Sequence, residues 1–173
     1  MKTHLLLLAL SLAFLSCSTK KSETTSAPAD SVVVDSVLAT TPASAMLAYS
    51  PIEGYSANKK LELPDSINYF LLSNEEELNQ RFSRDQTTAT PDFIINYVVG
   101  VVGQPSKQTT TIAIDKVQTG DSSLDVYLTI TRGENGKAQQ TPSALFAIER
   151  REGYPVMQFY VNGKKDKALV VVQ

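Results

Sequence analysis

The chain has 173 residues and a net charge of −2, with one cysteine, one histidine and no tryptophan. The only histidine, His4, lies in an apolar N-terminal stretch that we expect to be removed, so the rest of the chain lacks the residues for histidine acid/base catalysis and for the usual Cys/His zinc sites. Without Lys2, 15 basic and 18 acidic side chains remain, and this acidic excess argues against a nucleic acid as a partner.

The N-terminus is typical of an export signal. An apolar run over residues 5–15 follows Lys2 and ends at Ser16 and Cys17. As a helix this run would be about 16 Å long, roughly half of the ~30 Å needed to cross a bilayer. We therefore expect residues 1–16 to be a signal peptide rather than a membrane span.

Cys17 is the one residue to which the sequence assigns a defined chemical role. Phe14-Leu15-Ser16-Cys17 resembles the lipobox of bacterial lipoproteins, in which the cysteine receives a lipid and becomes the first residue after cleavage. The alternative, an ordinary secretory signal, would leave one unpaired thiol in an oxidising compartment, so we favour lipidation. The resemblance implies anchoring to a membrane of the bacterial cell envelope through the lipid on Cys17, with the protein facing the periplasm or the cell exterior.

The chain after the signal divides into a tether and a domain. Residues 17–45 comprise the lipidated cysteine and a segment dominated by Ser, Thr, Ala, Pro and Lys, which predicts a disordered tether. Residues 46–173 change to period-two alternation of apolar and polar side chains, which predicts a single, mostly β globular domain.

The domain is predicted to begin with two strands and a short helix. Strands are expected at residues 46–49 and 67–72. Ser73 and Glu76 have the spacing of a capping box, which predicts a helix over about residues 74–83. The three glutamates at 75–77 then lie in the positive first turn, and this explains them without a metal site or an acid/base pair.

The remainder of the domain is predicted to consist of strands. Residues 93–102 are apolar on both faces, so this strand should lie in the centre of a sheet. Strands at 109–117 and 124–131 should pair as a hairpin, and residues 132–140 should form a flexible loop. Further strands are expected at residues 145–148, 156–161 and 168–172. The predicted fold class is α+β, a mostly antiparallel β-sheet or sandwich with one short helix.

The last two strands carry two more specific expectations. Asn162-Gly163, followed by charged residues 164–167, predicts a hairpin tip whose charges we assign to solubility rather than to a binding patch. Residues 168–172 are apolar without alternation, which predicts a buried strand. Deletion of residues 168–173 should therefore unfold the domain.

No catalytic, cofactor-binding or metal-binding residue is predicted. The pattern Ser-x-x-Lys occurs from Ser18 to Lys21 and from Ser56 to Lys59, but the further motifs of serine-lysine enzymes are missing, so we interpret both as chance matches. Carboxylate-pair chemistry and an oxygen-ligand calcium site stay open, without a recognisable signature.

The order of the predicted elements resembles the C-terminal domain of the protease-complex-subunit (PrcB-type) family. Three segments carry the resemblance: Pro91-Asp92-Phe93 after the helix, Gly103-Gln104-Pro105 leading to an Ile-Ala-Ile strand at 112–114, and Thr141-Pro142 before a short strand. It covers residues from about 67 to 161. The family's Pro-Thr-Gly-Gly-Tyr-like run is replaced here by residues 105–110, which lack the glycine pair and the tyrosine.

Two classes of function follow. The resemblance implies a non-catalytic exported lipoprotein that supports or regulates a protease complex, with a protein partner that is a candidate protease. The missing histidine and the lipidated cysteine agree with this role. The alternative is a small carboxylate-dependent envelope hydrolase or a glycan-binding domain, which requires two acidic side chains converging in one pocket.

Overall fold

The computed structural model describes residues 44–171, and most of these residues lie in β-strands. The elements in chain order are β1 (Tyr49–Pro51), β2 (Tyr55–Ala57), β3 (Ile67–Leu72), α1 (Glu75–Arg81), β4 (Phe82–Arg84), β5 (Asn96–Gly103), β6 (Ser106–Thr119), β7 (Ser123–Gln140), β8 (Ser143–Glu149), β9 (Val156–Val161) and β10 (Lys164–Val170).

The strands form two four-stranded sheets and one small pair. The first sheet has the order β1-β8-β5-β3 and is antiparallel throughout. The second has the order β10-β9-β7-β6, in which β7 and β9 are parallel and the other pairs are antiparallel. Strands β2 and β4 form the small antiparallel pair. The predicted fold class, α+β with mostly antiparallel strands and one short helix, is confirmed.

The main core lies between the two four-stranded sheets. Both sheets contribute alternate apolar residues to it, as expected of face-to-face sheet packing. The first sheet contributes the buried residues Tyr69, Tyr97, Val99, Val101, Phe146 and Ile148. The second sheet contributes Ile114, Val117, Leu124, Val126, Leu128, Met157 and Phe159.

Strand β5 is buried on both faces, which confirms the prediction that it is central. Val99 and Val101 face the main core, whereas Val98 and Val102 face a second core on the other side of the first sheet. The strand begins at Asn96 instead of Phe93. The reason is a turn before it, in which the Asp92 carboxylate accepts hydrogen bonds from the amides of Ile94 and Ile95.

The second core lies under a layer made of α1, β2 and β4. Leu78 of the helix and Phe82 of β4 are fully buried there against β5. Phe82 packs directly over Gly100, where an added Cβ would lie 2.6 Å from the ring. Strands β2 and β4 are three residues each and were not expected from the sequence.

The helix starts one residue later than predicted. Asn74, not Ser73, is the N-cap, and its side chain accepts a hydrogen bond from the Glu77 amide at 2.9 Å. The Glu77 carboxylate in turn accepts a hydrogen bond from the Ser73 amide. The predicted box of Ser73 with Glu76 is therefore wrong by one position, because Asn74 is an equally good cap.

The predicted loop at residues 132–140 is wrong, because these residues belong to β7. This segment continues β7 to Gln140 and pairs with the start of β6, through Thr110 with Arg132 and Gln108 with Asn135. The register shifts twice along this part of the ladder. Its side chains are exposed, so neither apolar alternation nor burial marked it as a strand.

The prediction of a buried strand at residues 168–172 is wrong about burial and bounds, because β10 covers Lys164–Val170 and is mostly exposed. It is the edge strand of the second sheet, and of its last residues Ala168 and Val170 are exposed. Val171, just after it, is buried and donates its amide to Pro155. Residue 172 lies outside the described residues. The predicted turn at Asn162-Gly163 is confirmed, with positive φ values of 49° and 77° that suit a two-residue hairpin.

The segment before β1 joins the two sheets. Ala45 and Thr119 exchange hydrogen bonds, and the Leu47 amide donates to the Val117 carbonyl of β6 at 3.0 Å. One residue later, Ala48 accepts a hydrogen bond from the Glu149 amide at the end of β8. Of the predicted strand at 46–49, only Tyr49 belongs to a regular strand, β1. Met46 forms an isolated bridge with Gln118.

Candidate functional site

A groove of about 940 Å³ opens beside the helix, in the layer that covers the second core. One wall is the segment that follows β2, and the other is formed by the end of α1 and the start of β4. Its lining residues are Ser56, Ala57, Asn58, Lys59, Lys60, Leu61, Glu62, Phe70, Gln80, Arg81 and Ser83.

Asn58 fixes the distance between the two walls. Its side-chain amide donates to the carbonyls of Asn79 and Gln80 at 3.1 and 2.9 Å, and its backbone amide donates to the Arg81 carbonyl. Its side-chain oxygen accepts a hydrogen bond from the Ser83 hydroxyl. Because the last carbonyls of a helix lack partners within it, Asn58 caps α1 and ties the two walls of the groove together.

The groove carries a local excess of positive charge. Lys59, Lys60 and Arg81 line it, with Glu62 as the one acidic residue, although the whole chain has a net charge of −2. The three ion pairs found within residues 44–171 involve other residues. The basic side chains are therefore available to an anionic group that enters the groove.

Arg81 is the best positioned of these cations. Its guanidinium lies 5.4 Å from the centre of the Phe70 ring and donates one hydrogen bond to the Glu77 carbonyl at 3.3 Å. Stacking on the ring restricts the side chain and leaves other N–H groups of the guanidinium free to bind a carboxylate or a phosphate. Glu77 and Arg81 have the i,i+4 spacing of a helical ion pair, but the carboxylate of Glu77 accepts a hydrogen bond from the Ser73 amide instead.

Ser56 and Lys59, the second Ser-x-x-Lys match, both line the groove. Ser56 belongs to strand β2 and Lys59 to the turn after it, and no hydrogen bond joins the two side chains among the described residues. In serine-lysine enzymes the lysine must reach the hydroxyl that it activates. Ser18 and Lys21 lie outside the described residues.

Two carboxylates, Asp65 and Asp166, line a smaller pocket of about 290 Å³ at the edges of the two sheets. Asp65 forms an ion pair with Lys167 at 2.6 Å, and Asp166 accepts a hydrogen bond from the Tyr69 hydroxyl. Burial, together with this hydrogen bond, raises the pKa of Tyr69 above its usual value of 10. Both carboxylates are thus engaged in contacts between the sheets.

The remaining candidates from the sequence are the glutamates at 75–77, a metal site and Cys17. The three glutamates at 75–77 lie in the first turn of α1, and Glu75 forms an ion pair with Arg84. Within residues 44–171 no cluster of three or more His, Cys, Asp or Glu side chains could hold a metal ion. No helix in the same range is long and apolar enough to cross a membrane. Cys17, the predicted lipidation site, lies outside the described residues.

The groove itself was missed at the sequence level. Asn58-Lys59-Lys60 is a polar run between a three-residue strand and an apolar segment, and such a run normally indicates a solvated turn. Only its contact with the end of α1 turns it into the wall of a cavity. No local signal marks Asn58 as a helix cap, because the carbonyls that it caps lie 21 and 22 residues further along the chain.

Comparison of the chain with family models, with curated proteins and with solved structures found no match.

Proposed function

We propose that this protein is a non-catalytic binding lipoprotein of the bacterial cell envelope, anchored through a lipid on Cys17. Its β domain presents the basic groove to an acidic segment of an exported protein. The observation that carries the binding role is the cluster of Lys59, Lys60 and Arg81 in one groove, three cations that form no ion pair within residues 44–171. The export signal that ends in Cys17 supports the location.

A protease complex is the candidate partner. The basis is the resemblance of residues from about 67 to 161 to the PrcB-type family. The segment in which the family carries its Gly-Gly-Tyr run is strand in this protein, because residues 106–110 belong to β6. A partner contact made by that run in the family is therefore not part of the proposal, which relies on the groove instead.

Charge reversal in the groove tests the binding role. The tagged full-length chain is expressed in a bacterial host, cross-linked in cells, purified from detergent-solubilised membranes and analysed by mass spectrometry. Lys59→Glu combined with Lys60→Glu should abolish recovery of the partner. The matched control, Lys164→Glu combined with Lys165→Glu, makes the same charge change on exposed residues of β10 and should retain it. Equal recovery from both double variants would refute the groove as the binding site.

The anchor is tested separately. Cys17→Ser should eliminate incorporation of an alkyne-labelled fatty acid and move the protein from the membrane fraction to the soluble fraction. Two acyl chains give stable attachment, and Cys17→Ser removes the thiol that would receive the lipid. Unchanged labelling of the Cys17→Ser chain would show that the lipobox interpretation is wrong.

The alternative, a carboxylate-dependent hydrolase, is favoured by one observation: Asp65 and Asp166 line the same pocket. Glycosidases use two carboxyl groups on either side of the bond that is cleaved. Purified domain is incubated with peptidoglycan, and release of soluble fragments is measured. A hydrolase would release fragments, and Asp166→Asn would stop the release, whereas a binding lipoprotein would release none.

A further inference from the structure

The chain enters its domain at one end of the β-sandwich, which we call the entry end. This end consists of residues 44–48, the turn at 92–95, the turn at 120–122 and the loop at 150–155. The strand registers bring these segments together. Asn96, the first residue of β5, pairs with Glu149, the last residue of β8. In the second sheet, β7 and β9 start side by side, because Ser123 pairs with Val156.

Exposed apolar side chains concentrate at or next to the entry end. Five large apolar residues are notably exposed among residues 44–171, and all five lie there. Met46 bridges to Gln118, Tyr49 pairs with Ile148, and Val170 pairs with Val156. Ile94 and Ile95 form the turn before β5. Their exposed fractions are 61% for Met46, 36% for Tyr49, 82% for Ile94, 63% for Ile95 and 75% for Val170. An apolar concentration of this kind normally marks an interaction surface.

The turn that carries the two isoleucines is held firmly. The Asp92 carboxylate accepts hydrogen bonds from the amides of Ile94 and Ile95 at 2.8 and 3.3 Å. From the other side, Arg150 donates its backbone amide to the Ile95 carbonyl and its guanidinium to the Phe93 carbonyl. The backbone of the turn is thus fixed from both sides while the isoleucine side chains project outward.

The point at which the chain enters the domain indicates which surface these exposed apolar side chains contact. Residues 18–43 connect Cys17 to the entry end, and their composition predicts a tether. A disordered segment of this length has a typical reach of about 30 Å. A lipid on Cys17 would therefore keep the entry end within one domain diameter of the bilayer. The loop nearby carries Arg150 and Arg151 together with Glu149 and Glu152, so it has no positive excess that would require anionic lipid.

We propose that the entry end rests on the lipid surface that holds the Cys17 anchor, with Ile94 and Ile95 inserted among the lipid headgroups. Two apolar side chains are a weak membrane signal by themselves, and the covalent anchor supplies the local concentration that makes the contact persist. The groove opens beside α1, away from this turn, so it stays accessible to a partner while the domain rests on the membrane. This proposal depends on the lipid anchor of the proposed function.

The composition of the chain allows a direct test. Because Cys17 is the only cysteine, the chain from Cys17 onward can be coupled to a maleimide phospholipid in phosphatidylcholine vesicles. Because the chain has no tryptophan, Ile94→Trp introduces a single fluorescent reporter. Vesicles with brominated acyl chains should reduce its emission by at least about twofold, with shallow bromines more effective than deep ones, as expected for burial of about 5 to 10 Å.

Matched reporters make the result specific. Lys164→Trp places the tryptophan beside the hairpin turn at the opposite end of β9, and it should not be quenched. Met46→Trp should be quenched, and adding Ile94→Asp with Ile95→Asp should remove that quenching. If the tryptophans at positions 94 and 164 are quenched equally, the proposal is wrong.

The remaining outcomes identify other occupants. Sedimentation without vesicles that shows a dimer, lost on Ile94→Asp, would assign the entry end to contact with a second copy and overturn the membrane contact. A monomer in solution without quenching on vesicles would also overturn it and leave a protein partner as the occupant. Coupling at Cys17 bypasses cellular lipidation, so a failure of the lipid anchor in cells is detected separately from a failure of this contact.

Discussion

At the scale of single residues, the fold depends on positions where a side chain is small or forms a local hydrogen bond. Gly100 leaves room for the Phe82 ring in the middle of the most buried strand. Asn74 begins the helix and Asn58 caps its end, so two asparagines determine both limits of α1. Polar groups that satisfy helix ends are worth about 1 kcal/mol each.

Gly100→Ala should destabilise the domain by about 1 to 3 kcal/mol, because the new methyl group would lie 2.6 Å from a buried ring that has little room to move. Gly133→Ala in β7 is the matched control, since its Cβ would lie at an ordinary 3.6 Å from the nearest atom. Urea unfolding followed by circular dichroism measures both. Equal midpoints for the two variants would contradict the packing of Phe82 over Gly100.

At the scale of elements, exposure determined which predictions were accurate. Residues 67–72 and 156–161 were predicted to the residue as β3 and β9, because buried strands carry an apolar pattern along their whole length. The exposed end of β7 carries no such pattern and was predicted as a loop. Strand β10 lies at a sheet edge and is charged over residues 164–167. Only its last residues are apolar, because Leu169 and the following Val171 pack against the core.

Deletion of residues 168–173 should strongly destabilise the domain even though β10 is an edge strand. The truncated chain loses the pairing of Ala168–Val170 with β9 and the buried side chain of Val171. Burial of one valine contributes about 1.5 to 3 kcal/mol, and the lost strand pairing adds to this. Thermal unfolding of this truncation is compared with that of a chain lacking only residues 172 and 173. Identical melting temperatures would show that β10 contributes little.

At the scale of the whole molecule, two polar contacts connect the sheets on the side where β3 and β10 approach each other. Tyr69 of β3 donates to Asp166 of β10, and Lys167 of β10 pairs with Asp65, just before β3. The charged residues after Asn162-Gly163 were predicted to serve solubility. Two of them, Asp166 and Lys167, form these contacts, while Lys164 and Lys165 are exposed.

The Tyr69 contact should make stability depend on pH in alkaline solution. The pKa of Tyr69 is raised in the folded state, so its contribution is complete below pH 10, the usual value, and is lost as the pH rises above it. Tyr69→Phe should cost about 1 to 2 kcal/mol at pH 8 and should reduce the fall in stability above pH 10.

Urea unfolding at several pH values between 8 and 11 measures this effect. Tyr154→Phe is the control, because the hydroxyl of Tyr154 forms no hydrogen bond within residues 44–171 while its ring packs against the same core. If the two variants have the same pH profile, the Tyr69 hydroxyl does not couple the sheets.

The sequence by itself determined the strand-rich class, the short helix and the central place of β5, because each follows from the local pattern of apolar side chains. It also determined the Asn162-Gly163 turn, which depends on backbone preferences of two residues. Both kinds of signal depend on residues that are close together in the sequence. Each can therefore be recognised from a few consecutive residues.

Only the tertiary structure decided which elements became neighbours. The parallel pairing of β7 with β9, the edge position of β10 and the basic groove between residues 56–62 and the end of α1 join segments that are distant in sequence. An apolar pattern shows that a face is buried but carries no information about what covers it. For the same reason, the gathering of Met46, Ile94, Ile95 and Val170 at one end of the domain became visible only once the strands were paired.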